Sequence, residues 1–134
     1  MTKAERISMI VDHLSREGYR PEIDEDGDVR FKVEGRTCFV IFDDDPTFFR
    51  LAFANFWPIE NERERALVME ACSHASMTTK VVKVFTVNDN VWASVELFVA
   101  PPNAVLHVLQ RSIAALQVGV HHFRSRMHSH IATA

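Results

Sequence analysis

"IDEDGDVRFKVEG", residues 23–35, sets four acidic side chains around a glycine and then alternates apolar with charged residues. Two structures compete for this stretch, a calcium-binding loop and the tight turn of a β-hairpin. An EF-hand loop takes acidic ligands at its first, third, fifth and twelfth positions and glycine at its sixth. Counted from Asp24, Asp26 and Asp28 fit the third and fifth positions, but the glycine arrives at the fourth and Gly35 stands at the twelfth. The hairpin fits better. Asp26-Gly27 is a favoured turn pair because glycine tolerates the backbone angles of a short hairpin. Val29, Phe31 and Val33 then alternate with Arg30, Lys32 and Glu34, the period of a strand with one wet face.

The pattern continues outward as a meander. Gly35-Arg36 is expected to turn the chain into "TCFVIFDD", apolar on both faces and so a central strand. "DDPT", with Pro46 suited to the second position of a turn, leads into "FFRLAFANFW" as a fourth strand. The first and third turns of a meander share one end of the sheet. That places Asp24, Glu25, Asp26 and Asp28 beside Asp43, Asp44 and Asp45, two strand spacings or about 10 Å away.

Helices flank the strands. In "TKAERISMIVDHLSREG", Thr2 and Glu5 have capping-box spacing, Ile7, Ile10, Val11 and Leu14 form one apolar stripe, and Gly18 marks the end. "IENERERALVMEACSHASM" reads as a second helix capped by Asn61, with Leu67, Val68, Ala71, Cys72 and Ala75 facing inward. "TKVVKVFTV" and "VWASVELFV" follow as strands around "NDN". After Pro101-Pro102 the longest helix is expected from Asn103 to the region of Arg124. Its residues Leu106, Leu109, Ile113, Leu116, Val120 and Phe123 form a seam open to two readings: packing on the sheet, or contact with a second subunit. Gly119 within it permits close approach of a neighbour.

At 134 residues, with 47% apolar and 25% charged residues, the chain reads as a single domain over 1–134, residues 125–134 forming a flexible tail. A net charge of −3 lacks the basic balance that holds nucleic acid. No apolar run approaches the roughly 18 residues of a membrane span, and "MTKAERISMIVDHL" has no signal-peptide core, so a cytoplasmic location is expected. Cys38 and Cys72 lie in apolar runs and read as buried free thiols.

Little in the chain carries catalytic chemistry. Its four glycines build no phosphate cradle, and "CSHAS" puts Ser73, His74 and Ser76 on a helix where near neighbours do not face one another. "HHFRSRMHSH" holds four histidines without the spacing of a metal site, and reads as a solvated helix end. The acidic end of the sheet is the better metal candidate, through Asp26, Asp28, Asp44 and Asp45, against the alternative of a solubilising rim. No cofactor is expected. The aromatics point elsewhere. On "NVWASVELFV", Trp92 and Phe98 oppose the Val91, Ala93, Val95, Leu97 and Val99 face; Phe48 and Phe56 likewise oppose Phe49, Leu51 and Phe53. If helices cover one face only, Trp92, Phe98, Phe48 and Phe56 form a partner-binding patch.

The order helix, four strands, helix, two strands, helix, with "GYRPEIDEDGDVRFKVEGRTCFVIFDDDPTFFRL" and "TKVVKVFTVNDNVWASVELFV", resembles the YbjN-like family of small bacterial proteins from about Gly18 to Phe123. That family shares an architecture with type III secretion chaperones and is labelled a sensory transduction regulator. The resemblance implies an α+β fold, an antiparallel sheet in α-ββββ-α-ββ-α order with helices packed on it. It offers no catalytic residues and implies a non-enzymatic role. The function expected is a protein-binding module, chaperone- or adaptor-like, holding a protein partner, with a homodimer as a further expectation. A small-ligand or metal-responsive sensor is the alternative.

Overall fold

A computed structural model describes residues 1–133. Helix α1 (Lys3–Arg16) precedes strands β1 (Glu22–Ile23), β2 (Val29–Val33), β3 (Arg36–Ile41) and β4 (Phe48–Phe53). Helix α2 (Glu62–Thr78) leads to β5 (Val82–Val87) and β6 (Asn90–Phe98), then a 3₁₀ segment at Pro102–His107 and helix α3 (Leu109–Thr133). The six strands form one antiparallel sheet in the order β1-β2-β3-β4-β6-β5. The expected α-ββββ-α-ββ-α order holds.

The opening stretch is a hairpin turn. Asp24 N–H donates to the Asp28 carbonyl at 2.8 Å and Gly27 N–H to the Asp24 carbonyl at 3.1 Å, with Gly27 at φ +82°. Val29, Phe31 and Val33 are buried while Arg30 and Lys32 are exposed. The next turn falls one residue earlier than expected. Val33 pairs with Arg36, so Glu34 (φ +49°) and Gly35 (φ +79°) make the bend and Arg36 opens β3. A two-residue hairpin loop takes left-handed backbone at both positions. β4 is also shorter than expected, because Asn55 at φ +51° swings the chain out of the strand.

All three helices pack on one face of the sheet. Thr2 and Glu5 exchange the two capping-box hydrogen bonds at 2.9 and 3.1 Å. Ile10 and Leu14 of α1 join Val68, Ala71, Cys72 and Ala75 of α2 over Phe31, Val40, Leu51, Phe53, Val84, Ala93 and Val95. Gly119 of α3 sits against β5, where an added Cβ would lie 2.7 Å from Val82 Cγ1.

The C-terminal segment corrects an expectation. Pro102 opens a 3₁₀ segment, not the long helix, and α3 begins at Leu109. The helix then runs to Thr133, so residues 125–133 are no flexible tail; residue 134 lies outside the described residues. Two contacts hold them. Met127 extends the buried row of Leu109, Ile113, Leu116, Val120 and Phe123. On the next helix, Glu70 accepts from Arg126 at 2.7 and 3.1 Å and meets His130 Nε2 at 2.5 Å.

Candidate functional site

Among the described residues no helix covers the second face of the sheet. The side chains it presents include Arg30 and Lys32 from β2, Thr37, Phe39 and Ile41 from β3, Phe48 and Arg50 from β4, Lys83 and Phe85 from β5, and Trp92, Glu96 and Phe98 from β6. Ladder alternation puts them there, because each alternates with residues buried in the core or packed against it. Phe98 is 82% exposed and packs on Phe48 with ring centroids 5.8 Å apart. Cross-strand pairing makes this neighbour pair, since Phe48 stands opposite Phe98 in the β4–β6 ladder. Trp92 likewise stands opposite Phe85, centroids 6.5 Å apart, and its indole N–H donates to Asn55 Oδ1 at 3.0 Å.

Between these aromatic pairs lie Ala52 and Ser94, opposite one another and fully buried under their larger neighbours. Beside them Glu96 accepts from Ser94 Oγ at 2.9 Å and pairs with Lys83 Nζ at 2.5 Å, with Arg50 Nε 3.8 Å away. Partial burial works to raise the Glu96 carboxyl. The hydrogen bonds from Lys83 and Ser94 outweigh it and hold the group below the ordinary glutamate range. The face thus carries aromatic pairs on either side of one carboxylate flanked by two cations.

Both edges of the sheet are interrupted. On the β5 side, Ser76 of α2 takes the Val84 N–H at 2.9 Å and donates its hydroxyl to the Val84 carbonyl at 3.2 Å. The "CSHAS" serine therefore has a structural role as an edge plug. On the other side β1 is two residues long and follows Pro21, which has no N–H to offer.

Of the four aromatics expected to meet a partner, three lie on the open face. Phe56 does not. The turn at Asn55 sends it to the helical side, where its ring meets Phe123 edge-on at 5.5 Å, as does Trp57. Phe39, Ile41 and Phe85 belong to the face and were not singled out by sequence. The alternation of Phe39 and Ile41 with buried Cys38 and Val40 was the available signal.

The acidic turns do meet at one end of the sheet, where Phe42 N–H donates to Asp28 Oδ1 at 2.9 Å. Their carboxylates are occupied by backbone. Asp24 Oδ1 accepts from the N–H groups of Asp26 (2.9 Å) and Asp28 (3.0 Å), Asp43 from Asp45 (2.9 Å), and Asp45 from Thr47 (2.9 Å). Asp26 and Asp44 point into solvent. Among the described residues no three His, Cys, Asp or Glu side chains stand close enough to share a metal ion. Of the set Asp26, Asp28, Asp44 and Asp45, Asp28 and Asp45 thus serve the turns, because short aspartates next to free amides bond locally first, while Asp26 and Asp44 are exposed and share no ligand site with them. The histidines are dispersed too: His122 Nδ1 lies 2.8 Å from Thr79 Oγ1, while His130 serves Glu70.

Burial raises both thiols, Cys72 to about 12. Among the described residues no helix is long and apolar enough to cross a membrane.

The comparison with curated proteins finds no match. Among solved structures, a chain of the crystal structure of the ExsC–ExsE complex superposes with a TM-score of 0.60 at 11% sequence identity. The match covers 87% of this chain and 90% of that one. At that identity the likeness establishes the fold. Residues 4–131 match the family model described as T3SS (YopN, CesT) and YbjN peptide-binding chaperone 1. The chain belongs to this TY-Chap1 family of peptide-binding chaperones.

Proposed function

We propose that this protein holds an extended segment of a client protein on the helix-free face of its sheet, with Trp92, Phe98 and Phe48 as anchors. The observation that carries the reading is exposed Phe98 packed on half-buried Phe48, continued by half-buried Phe85 and Trp92 along the same face. A row of partly exposed aromatics on an uncovered sheet face fits a docking surface. A binding role without catalysis accords with the family description. Two free buried thiols fit a reducing compartment such as the cytoplasm. A homodimer fits a separate surface, where Met77 (78% exposed), Val81 (58%) and Val118 lie around the crossing of α2, β5 and α3.

The test uses the full chain, immobilised and panned against a displayed library of random twelve-residue peptides. Enriched peptides should bind the wild type and lose about tenfold or more in affinity on Trp92→Ala or Phe98→Ser, with EDTA indifferent. Undiminished binding to both folded variants would sink the assignment of the face. Light scattering of the same samples at rising concentration tests the dimer, which Met77→Glu should dissociate.

A further inference from the structure

At the end of the sheet, round its rim from Trp92 and toward the helix-bearing side, an open pocket is lined by Glu34, Gly35, Arg36, Thr37, Ala54, Asn55, Phe56 and Arg124. Two guanidinium groups therefore share one recess. Neither is matched by an acid: among the described residues no carboxylate stands within ion-pair distance of Arg36 or Arg124. Arg16, Arg30, Arg50, Arg65 and Arg126 have carboxylate partners, while Arg6, Arg20, Arg63 and Arg111, like these two, have none among the described residues. What sets Arg36 and Arg124 apart is that they share one pocket. Arg124 makes a single long contact from Nη2 to the Phe56 carbonyl at 3.4 Å, and its Nε is buried with no partner. Arg36 stacks on the Phe53 ring, 5.3 Å from its centroid. Burial lowers the Arg36 pKa first and the facing Arg124 charge lowers it further, with Glu34 opposing. Two like charges are thus held together by the fold with their donors unspent. In a chain of net charge −3, with eighteen acidic residues to draw on, this pairing marks a place for an anion from outside.

The pocket meets the aromatic face at its rim. Asn55 both lines it and accepts the Trp92 indole hydrogen bond. A chain leaving Trp92 past Asn55 would have to round the end of the sheet to bring a side chain to the two arginines, which lie on its helix-bearing side.

We propose that Arg36 and Arg124 form a carboxylate-binding subsite at the rim of the peptide face, reached past Asn55, selecting client segments in which an Asp or Glu lies a few residues from the apolar residue seated on Trp92. This rests on the peptide-binding reading of the open face and adds its selectivity. A planar carboxylate accepts two parallel N–H donors from one guanidinium, and a second guanidinium neutralises its remaining lone pairs.

The test begins with the peptides enriched on the full wild-type chain. The best binder is synthesised with a fluorescein label in three forms, carrying Glu, Gln or Lys at its acidic position, and titrated by fluorescence anisotropy. Replacing Glu by Gln should weaken binding about tenfold to a hundredfold, and Lys should weaken it more. Raising the salt should narrow the difference between Glu and Gln. On the protein side, Arg36→Gln and Arg124→Gln should each erase the Glu-over-Gln preference while leaving the Gln peptide's affinity near the wild-type value. The peptide substitution keeps the test sound if either variant folds poorly. Binding peptides with no acidic enrichment, or a Glu-to-Gln change without effect, would overturn the carboxylate subsite while leaving the peptide face intact. Failure to enrich any peptide would remove both.

Discussion

Replacing Gly119 by alanine tests how tightly α3 is seated on β5. In an exposed helix this change is stabilising by about 1 kcal/mol, because alanine restricts the unfolded chain and glycine does not. Here the new Cβ would stand 2.7 Å from Val82 Cγ1 and 3.4 Å from Val82 Cβ, with Thr79 Cγ2 at 3.7 Å. Val82 is 95% buried and β-branched, so rotation about its single side-chain torsion offers little escape. Helix and strand must part by several tenths of an ångström. Overpacking of this kind costs about 1–3 kcal/mol, so the net expectation is a loss of about 1 kcal/mol. The decisive arm is Val82→Ala. Alone it should cost about 2 kcal/mol for two methyl groups and the gap they leave. In its presence the obstruction is gone, and Gly119→Ala should then stabilise by about 0.5–1 kcal/mol. Urea unfolding followed by circular dichroism, with the m-value unchanged, measures all four corners of the cycle. A Gly119→Ala effect of the same sign and size in both backgrounds would refute the close-approach argument.

Three further outcomes follow from other positions. Val81 holds φ +57°, a left-handed conformation that a β-branched residue adopts at a cost of about 1–2 kcal/mol, and it is largely exposed. Val81→Gly should therefore raise the melting temperature by about 3–6 °C, and a lower one would contradict the strain. Glu70 is held down to about 2 from 4.5, first by its Arg126 hydrogen bonds and further by His130. A depressed carboxyl stabilises the fold above pH 4.5 and loses that contribution as the pH falls toward 2. Glu70→Gln should accordingly flatten the stability–pH curve over that interval, read from melts at stepped pH; an unchanged slope would show that the bridge contributes nothing. Cys38 and Cys72 should resist a thiol reagent such as Ellman's in the native state and react together on unfolding, since burial keeps both as thiols. Rapid labelling of one thiol in native buffer would contradict its burial.

Local chemistry explains what could be read in the chain before its structure. The Asp24–Asp28 turn, the Thr2–Glu5 box and the Asn61 cap are each decided by residues within four positions of one another, so spacing alone reveals them. Alternation along β2 and β6 assigned Trp92 and Phe98 to their face because both strands are regular there. Phe56 was misplaced because one left-handed residue, Asn55, resets the count, and asparagine's tolerance of that conformation does not announce itself in a run of aromatics. The end of α3 was legible in principle, as Met127 continues the buried row at the next helical step. Its partner Glu70 lies on another helix, and that contact had no local sign. Arg36 and Arg124 are the extreme case, joined only by the folded chain.

The serine plugged into the edge of β5 has a kinetic consequence. With Val84 occupied by Ser76 and β1 only two residues long, the sheet edges are interrupted at these points, and on the proposed reading a client is held mainly through side chains. A grip made of side chains releases one anchor at a time, with no row of backbone bonds to unzip together. On the proposed reading, dissociation from such a surface is expected to be fast, which a stopped-flow release measurement reads.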